Sequence, residues 1–192
     1  MPTLRRHSSL SGFTLIELLV VISIIAILVG LAFPVIGGML DRAKKVQAKN
    51  DLTQIVTAVT AFYTEYGKYP VSGAPASENN AYAGDNAPLF DVLRGNEPTQ
   101  NPRNIPFLTL PAAKDTTQPK AGIGINRQFY DPWGTPYGIG IDLNYDNKIA
   151  NPYKNAGPDP LDAGVIAYSL GKNKLPESDA KTAGFDDVLS WQ

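Results

Sequence analysis

An apolar run from Phe13 to Phe33, carrying one charge at Glu17 and preceded by Arg5 and Arg6, sets the tightest limit on how this chain can fold. A helix of about 21 residues at about 1.5 Å each spans about 30 Å, the thickness of a bilayer's hydrocarbon core. The run is therefore expected to be a transmembrane helix over residues 13–33. An ordinary secretory signal has an apolar region of about 7–15 residues followed by a small-residue cleavage site. Here the small residue, Gly12, comes before the run. A cut after Gly12 would remove a basic leader, residues 1–12, and keep the helix. Arg5 and Arg6 hold the N-terminal side in the cytoplasm by the positive-inside bias, so everything after Pro34 is expected outside.

Glu17 is the anomaly in that run. A carboxylate within a membrane helix costs about 3 kcal/mol on insertion scales, so it normally has a partner and a function. One candidate is the amine that cleavage would create on Phe13, either its own or that of a neighbouring copy. The other reading is an interfacial Glu near the helix start, solvated and favourably placed on the helix dipole. Spacing alone leaves both open.

Gly12-Phe13-Thr14-Leu15-Ile16-Glu17 resembles the type III signal of type IV pilins and type II secretion pseudopilins. The resemblance implies cleavage by a prepilin peptidase between Gly12 and Phe13 and methylation of the new N-terminus on Phe13. It implies that Glu17 guides addition of the subunit to a filament.

Composition suits one modest exported head behind an anchor. The chain has 192 residues and a formal net charge of -1, which excludes electrostatic capture of nucleic acid. It has no cysteine, so packing or an ion must stabilise a head that lies where disulfides could form. Many type IV pilins close a C-terminal loop with a disulfide, so this absence leans toward pseudopilins.

Pro34 should kink or loosen the helix, helped by Gly37 and Gly38, or end it. Apolar positions then resume at Leu52, Ile55, Val59, Phe62 and Tyr66, which predicts an amphipathic helix over 41–66, stopped by Gly67 and Pro70. Residues 71–120 read as loop with a short helix near Ala87–Leu93, wrapping the head. Alternation of Tyr137, Ile139 and Ile141 with small residues predicts a strand, and Val165–Tyr168 a second. Asp142–Asn147 has oxygen-bearing residues at every second position, yet Asn147 and Tyr153 stand where an EF-hand needs Gly and Glu. Asp146-Asn147 is better read as a hairpin turn of positive φ.

Tyr130–Tyr137, with Asp131-Pro132-Trp133-Gly134 at its centre, resembles a turn of the major pseudopilin of type II secretion, and Trp133 is expected in the core. Phe62–Pro70 is similar to that family's helix end. Ser169-Leu170-Gly171 and the ending Phe185–Trp191 resemble its calcium loop, which implies a calcium ion held by the Leu170 carbonyl and by Asp187. Asn173 stands where the family usually has Asp, and Asp186 or Asp179 could replace that charge. An acidic turn without an ion is the alternative. The expected fold is α+β and pilin-like: a long N-terminal helix, half transmembrane and half amphipathic, packed on a small antiparallel sheet in a head of residues 34–192.

No catalytic arrangement is apparent. The single His, His7, lies in the leader, and no phosphate-binding glycine loop follows a strand. The resemblance implies a filament subunit of type II secretion with the head periplasmic and the span in the bacterial inner membrane. Expected partners are further copies, minor pseudopilins, prepilin peptidase, an inner-membrane assembly platform, and lipid before assembly. A type IV pilin for adhesion, motility or DNA uptake, and a tethered module that never polymerises, are the alternatives.

Overall fold

The computed structural model describes residues 12–71, 77, 78, 82 and 84–192, with the side chains of 32–37 left aside. All but the last residue of the expected leader lies outside the described residues. The chain divides into two compact units, Met1–Arg42 and Ala43–Gln192.

Helix α1, Leu15–Tyr66, contributes to both units as one element of 52 residues. It does not stop at Pro34: a proline removes one interior amide bond, and the helical residues on either side keep theirs. The amphipathic segment expected to start near residue 41 is thus the continuation of the first helix. In the first unit the apolar side chains of Leu15–Leu31 are exposed, and the Ser23 hydroxyl donates to the Leu19 carbonyl at 2.7 Å, leaving no free donor there. Among the described residues no helix is long and apolar enough to cross a membrane. The expected span includes residues 32 and 33, whose side chains are outside the description.

In the second unit the stripe read from the sequence is the core face of α1. Leu52, Ile55, Val59 and Phe62 are fully buried, joined by Ala48 and Ala58, while Tyr66 at the end is half-buried. Gly67 ends the helix with φ +68°, where its amide reaches the Tyr63 carbonyl at 2.8 Å. Helix α2, Ala87–Leu93, buries Leu89, Phe90, Val92 and Leu93 in the same cluster.

Two small sheets complete the unit. Strands β1, Gly122–Ile123, and β2, Phe129–Tyr130, form an antiparallel pair. Strands β3, Gly138–Ile141, β4, Val165–Ser169, and β5, Val188–Leu189, form an antiparallel sheet in the order β3-β4-β5. All of β3 is buried rather than one face. Its glycines explain this: Gly138 pairs with Tyr168, and a Cβ on Gly138 would lie 2.3 Å from the Tyr168 ring. The Tyr137 hydroxyl donates to Asp51 of α1 at 2.7 Å, tying the entry of β3 to the helix.

The long connection before β1 is pinned by two buried amides. Asn101 donates to the carbonyls of Val92 and Ile105 and accepts from the Tyr66 hydroxyl at 2.7 Å. Asn86 donates to the carbonyls of Phe129 and Tyr137 and accepts the Phe129 amide at 2.9 Å. Asn101 thus satisfies backbone groups of the connection itself, and Asn86 ties its start to β2 and to the entry of β3.

The turn expected at Asp146-Asn147 is built differently. Positive φ falls on Tyr145 and Asn147, not on Asp146, and the Asp142 carboxylate accepts both of their amides at 2.7 Å. No hairpin forms, because residues 142–164 fold back with Ile149 bridged to Leu161 before β4 begins.

Candidate functional site

The processing site lies immediately before α1. Gly12 and Phe13 are exposed and outside regular structure. Thr14 and Glu17 then close the first turn reciprocally. The Glu17 amide donates to the Thr14 hydroxyl oxygen at 3.3 Å, and the Glu17 carboxylate accepts the Thr14 amide at 2.8 Å and its hydroxyl at 2.6 Å. This is a capping box, in which two of the orphan donors at a helix start are satisfied. Its signal, Thr-x-x-Glu before an apolar run, is legible in the sequence, although the reading above sought the partner of Glu17 only in the Phe13 amine. Within one protomer the Glu17 carboxylate is engaged by Thr14.

In the second unit, three segments converge. The Asp131-Pro132-Trp133-Gly134 turn is organised by Asp131, whose Oδ1 accepts the amides of Trp133, Gly134 and Thr135 at 2.8–2.9 Å. Its Oδ2 accepts the Ser169 hydroxyl at 2.6 Å, and the Ser169 oxygen accepts the Gly171 amide at 3.2 Å. Burial pushes the Asp131 carboxyl above the usual range, and these bonds pull it back. Trp133 is buried in the main cluster, as its place in the turn suggested.

From Ser169 the chain passes to Gly171, φ +63°, where a Cβ would lie 2.5 Å from the Asp186 carbonyl oxygen. Glycine is needed both for the conformation and for the approach of the two limbs of the loop. Asp186 Oδ2 then accepts the amides of Lys172 at 2.7 Å and Asn173 at 3.0 Å.

The carboxylates of Glu177, Asp186 and Asp187 meet here, each with an oxygen within 4.8 Å of the others. Asp187 presents two buried oxygens that take no hydrogen bond, and Asp186 presents one. Burial pushes the Asp187 carboxyl up to about 6; the Tyr153 hydroxyl favours the anion, while the charges of Glu177 and Asp186 oppose it. Burial also raises the hydroxyls of Tyr153 and Tyr168, the latter to about 12. Tyr153, Tyr168 and Leu189 pack together in one buried cluster beside these acids.

Of the residues implied by the sequence, Asp186 and Asp187 come together and Asp179 does not. Asp179 Oδ1 accepts the Lys181 amide and the Asn155 side chain, both at 2.9 Å, beside its bridge to Lys154. Its oxygens thus fasten the 151–156 loop. Asn173 turns its oxygen to the Leu175 amide and donates to Glu177 at 2.9 Å, so it orients a carboxylate instead of supplying one. Glu177, which the sequence did not single out, brings a third carboxylate to Asp186 and Asp187. Leu170 is part-buried against the aromatic cluster.

Known proteins agree with this layout. The prokaryotic N-terminal methylation motif matches residues 9–33. Type II secretion system core protein G of Pseudomonas aeruginosa is 31% identical over 127 residues, covering 66% of this chain and 70% of that protein. Its counterpart in Klebsiella pneumoniae is 26% identical over 180 residues, covering 94% and 93%. Type IV major pilin protein PilE1 of Neisseria gonorrhoeae is 38% identical over 81 residues, less than half of either chain at 42% and 45%. No solved structure matches. With the methylation motif spanning the capped start of α1 and similarity extending through the head, the chain belongs to the type II secretion system core protein G family of pseudopilins.

Proposed function

We propose that this chain is a structural subunit of an extracytoplasmic pseudopilus that drives type II protein secretion, and not an enzyme. The observation that carries the reading is the register at the N-terminus: Gly12-Phe13 directly precedes a helix whose first turn is closed by Thr14 and Glu17. Prepilin peptidase would cut between Gly12 and Phe13, and methylation would fall on the Phe13 amine. The mature chain waits in the inner membrane, with residues 13–33 in the bilayer and the head in the periplasm, until an assembly platform extracts it. Head-to-tail contacts that do not close build a helical fibre, in which the exposed apolar side chains of Leu15–Leu31 bury one another. Minor pseudopilins are expected partners. The pilin alternative has less support, because that similarity covers less than half of either chain.

Assembly asks Glu17 to exchange a neutral partner, Thr14, for the charged Phe13 amine of a neighbour. Glu17→Gln separates the two roles, because Gln completes a capping box but cannot pair with an amine as an anion. The variant should be cleaved and methylated normally yet form no fibres, with mass spectrometry reading the mature N-terminus and electron microscopy the fibres. Fibres from Glu17→Gln, or a purified chain that starts at Met1, would sink the reading.

Calcium belongs to the same proposal. Hard carboxylate oxygens are its preferred donors. Three carboxylates lie together with three buried oxygens that take no hydrogen bond, so the donor set fits a divalent cation. Glu177, Asp186 and Asp187 would hold it. The ion would supply positive charge that keeps all three ionised and fastens the C-terminal loop where other chains use a disulfide.

A further inference from the structure

We infer that Lys49 is a positioning residue for the acidic cluster: from helix α1 it holds the backbone just beyond Asp187 and so sets how Asp186 and Asp187 face Glu177. This rests on the calcium reading above. The Lys49 ammonium donates to the carbonyls of Leu189 at 2.7 Å, Ser190 at 3.1 Å and Gln192, so its three donors serve one short segment. Charged donors make the stronger hydrogen bonds, and this one stands on a helix whose adjoining residues, Ala48 and Leu52, are fully buried. Partial burial lowers the Lys49 pKa, so part of its hydration has been given up for these carbonyls.

The held segment needs the help. Strand β5 has two residues, paired to β4 through Tyr168–Leu189 and Ser169–Val188, with Ser190 adding its amide to the Ala167 carbonyl and accepting the Ala167 amide on its hydroxyl. So short a strand is marginal by itself. Asp187 is next to β5 in the chain, two residues from the first carbonyl that Lys49 grips. The groups that set the Asp187 carboxyl are its burial, Tyr153, Glu177 and Asp186, which leaves Lys49 to act through the backbone and not as a counter-charge. Coupling is reciprocal: if the Lys49 grip favours the ion-binding arrangement, the bound ion tightens the grip.

The test uses the full chain in detergent, titrated with calcium chloride by calorimetry well below its melting temperature. Lys49→Met is expected to weaken calcium binding about tenfold at unchanged stoichiometry, the lower end of what outer-shell residues contribute. Lys49→Arg, which also donates to carbonyls, should restore most of the affinity. Hydrogen exchange over residues 185–190, measured without calcium, should be about tenfold faster in Lys49→Met than in the wild type. Wild-type affinity in Lys49→Met, or no rescue by Arg, overturns the inference. If the wild type itself binds no calcium, the calcium reading fails separately, and exchange decides: acceleration upholds the Lys49 grip, and unchanged exchange overturns it.

Discussion

Replacing Asp131 by Ala should be among the most damaging single changes in the head, and the structure allows the loss to be worked out. Four donors converge on this side chain: the amides of Trp133, Gly134 and Thr135 and the Ser169 hydroxyl. The Gly134 amide has a fallback in the Asp131 carbonyl at 3.1 Å, which leaves two amides and one hydroxyl without an acceptor. At about 1–3 kcal/mol for each unsatisfied buried donor, and with some relief from no longer burying a carboxylate, the cost is about 3–6 kcal/mol. For a chain of this size that lowers the melting temperature by roughly 10–20 °C. Asp131→Asn keeps an acceptor for the three amides and loses only the anionic bond to Ser169, so its cost should be about 1–2 kcal/mol. Thermal unfolding of the full chain in detergent, followed by the fluorescence of Trp133 and Trp191, reads both. Equal melting of the Ala and Asn variants, or an Ala variant within about 3 °C of wild type, would refute the view that Asp131 is the keystone of the turn.

Three more outcomes follow from the same geometry. Without calcium, the Asp187 carboxyl at about 6 lies above its unfolded value near 3.8, so the folded state binds the extra proton and stability falls as pH rises between them, by at most about 3 kcal/mol. Millimolar calcium should therefore raise the melting temperature more at about pH 7 than at about pH 5, and a chelator should abolish the difference; equal melting in calcium and chelator at both pH values counts against the site. Gly171→Ala forces a side chain into φ +63° against the Asp186 carbonyl and should cost about 2–4 kcal/mol while weakening calcium binding, as measured by melting and calorimetry. Thr14→Ala should fray the first turn of α1 by about 1 kcal/mol and Thr14→Ser should not, with amide exchange over residues 15–18 as the readout.

What was legible in the sequence is what repeats along it. The stripe Leu52, Ile55, Val59 and Phe62 carries a helical period and stops at Gly67, while the short helix α2 and strands β3 and β4 stand out as short apolar runs between loop residues. Strands β1, β2 and β5 have two residues each, too few for alternation to register. Asn86 and Asn101 look like ordinary loop residues until partners as far as 51 positions away define them as plugs. The choice between Asp179 and Glu177 had the same difficulty. Both lie in one acidic loop, and only the pairing of Lys154 with Asp179 shows which of them is spent on backbone.

The carboxylates of the head can be compared with one another, and the comparison singles out one place. Asp131 is fully buried and takes four hydrogen bonds; Asp142, nearly as buried, takes the amides of Tyr145 and Asn147. Glu78 accepts the amides of Leu143 and Asn144. These three acids are answered by backbone amides folded onto them, and the buried Asp91 by the Arg127 guanidinium, which is how a head without cysteines holds its loops. Asp187 is buried too, yet against that burial it has only the Tyr153 hydroxyl and the Glu177 backbone to favour its anion. The charges of Glu177 and Asp186 beside it oppose ionisation, so this carboxylate is compensated only in part. A carboxyl in that position must take up a proton or a cation. Near neutral pH the proton is lost, and on the calcium reading a cation would then hold the C-terminal loop in shape.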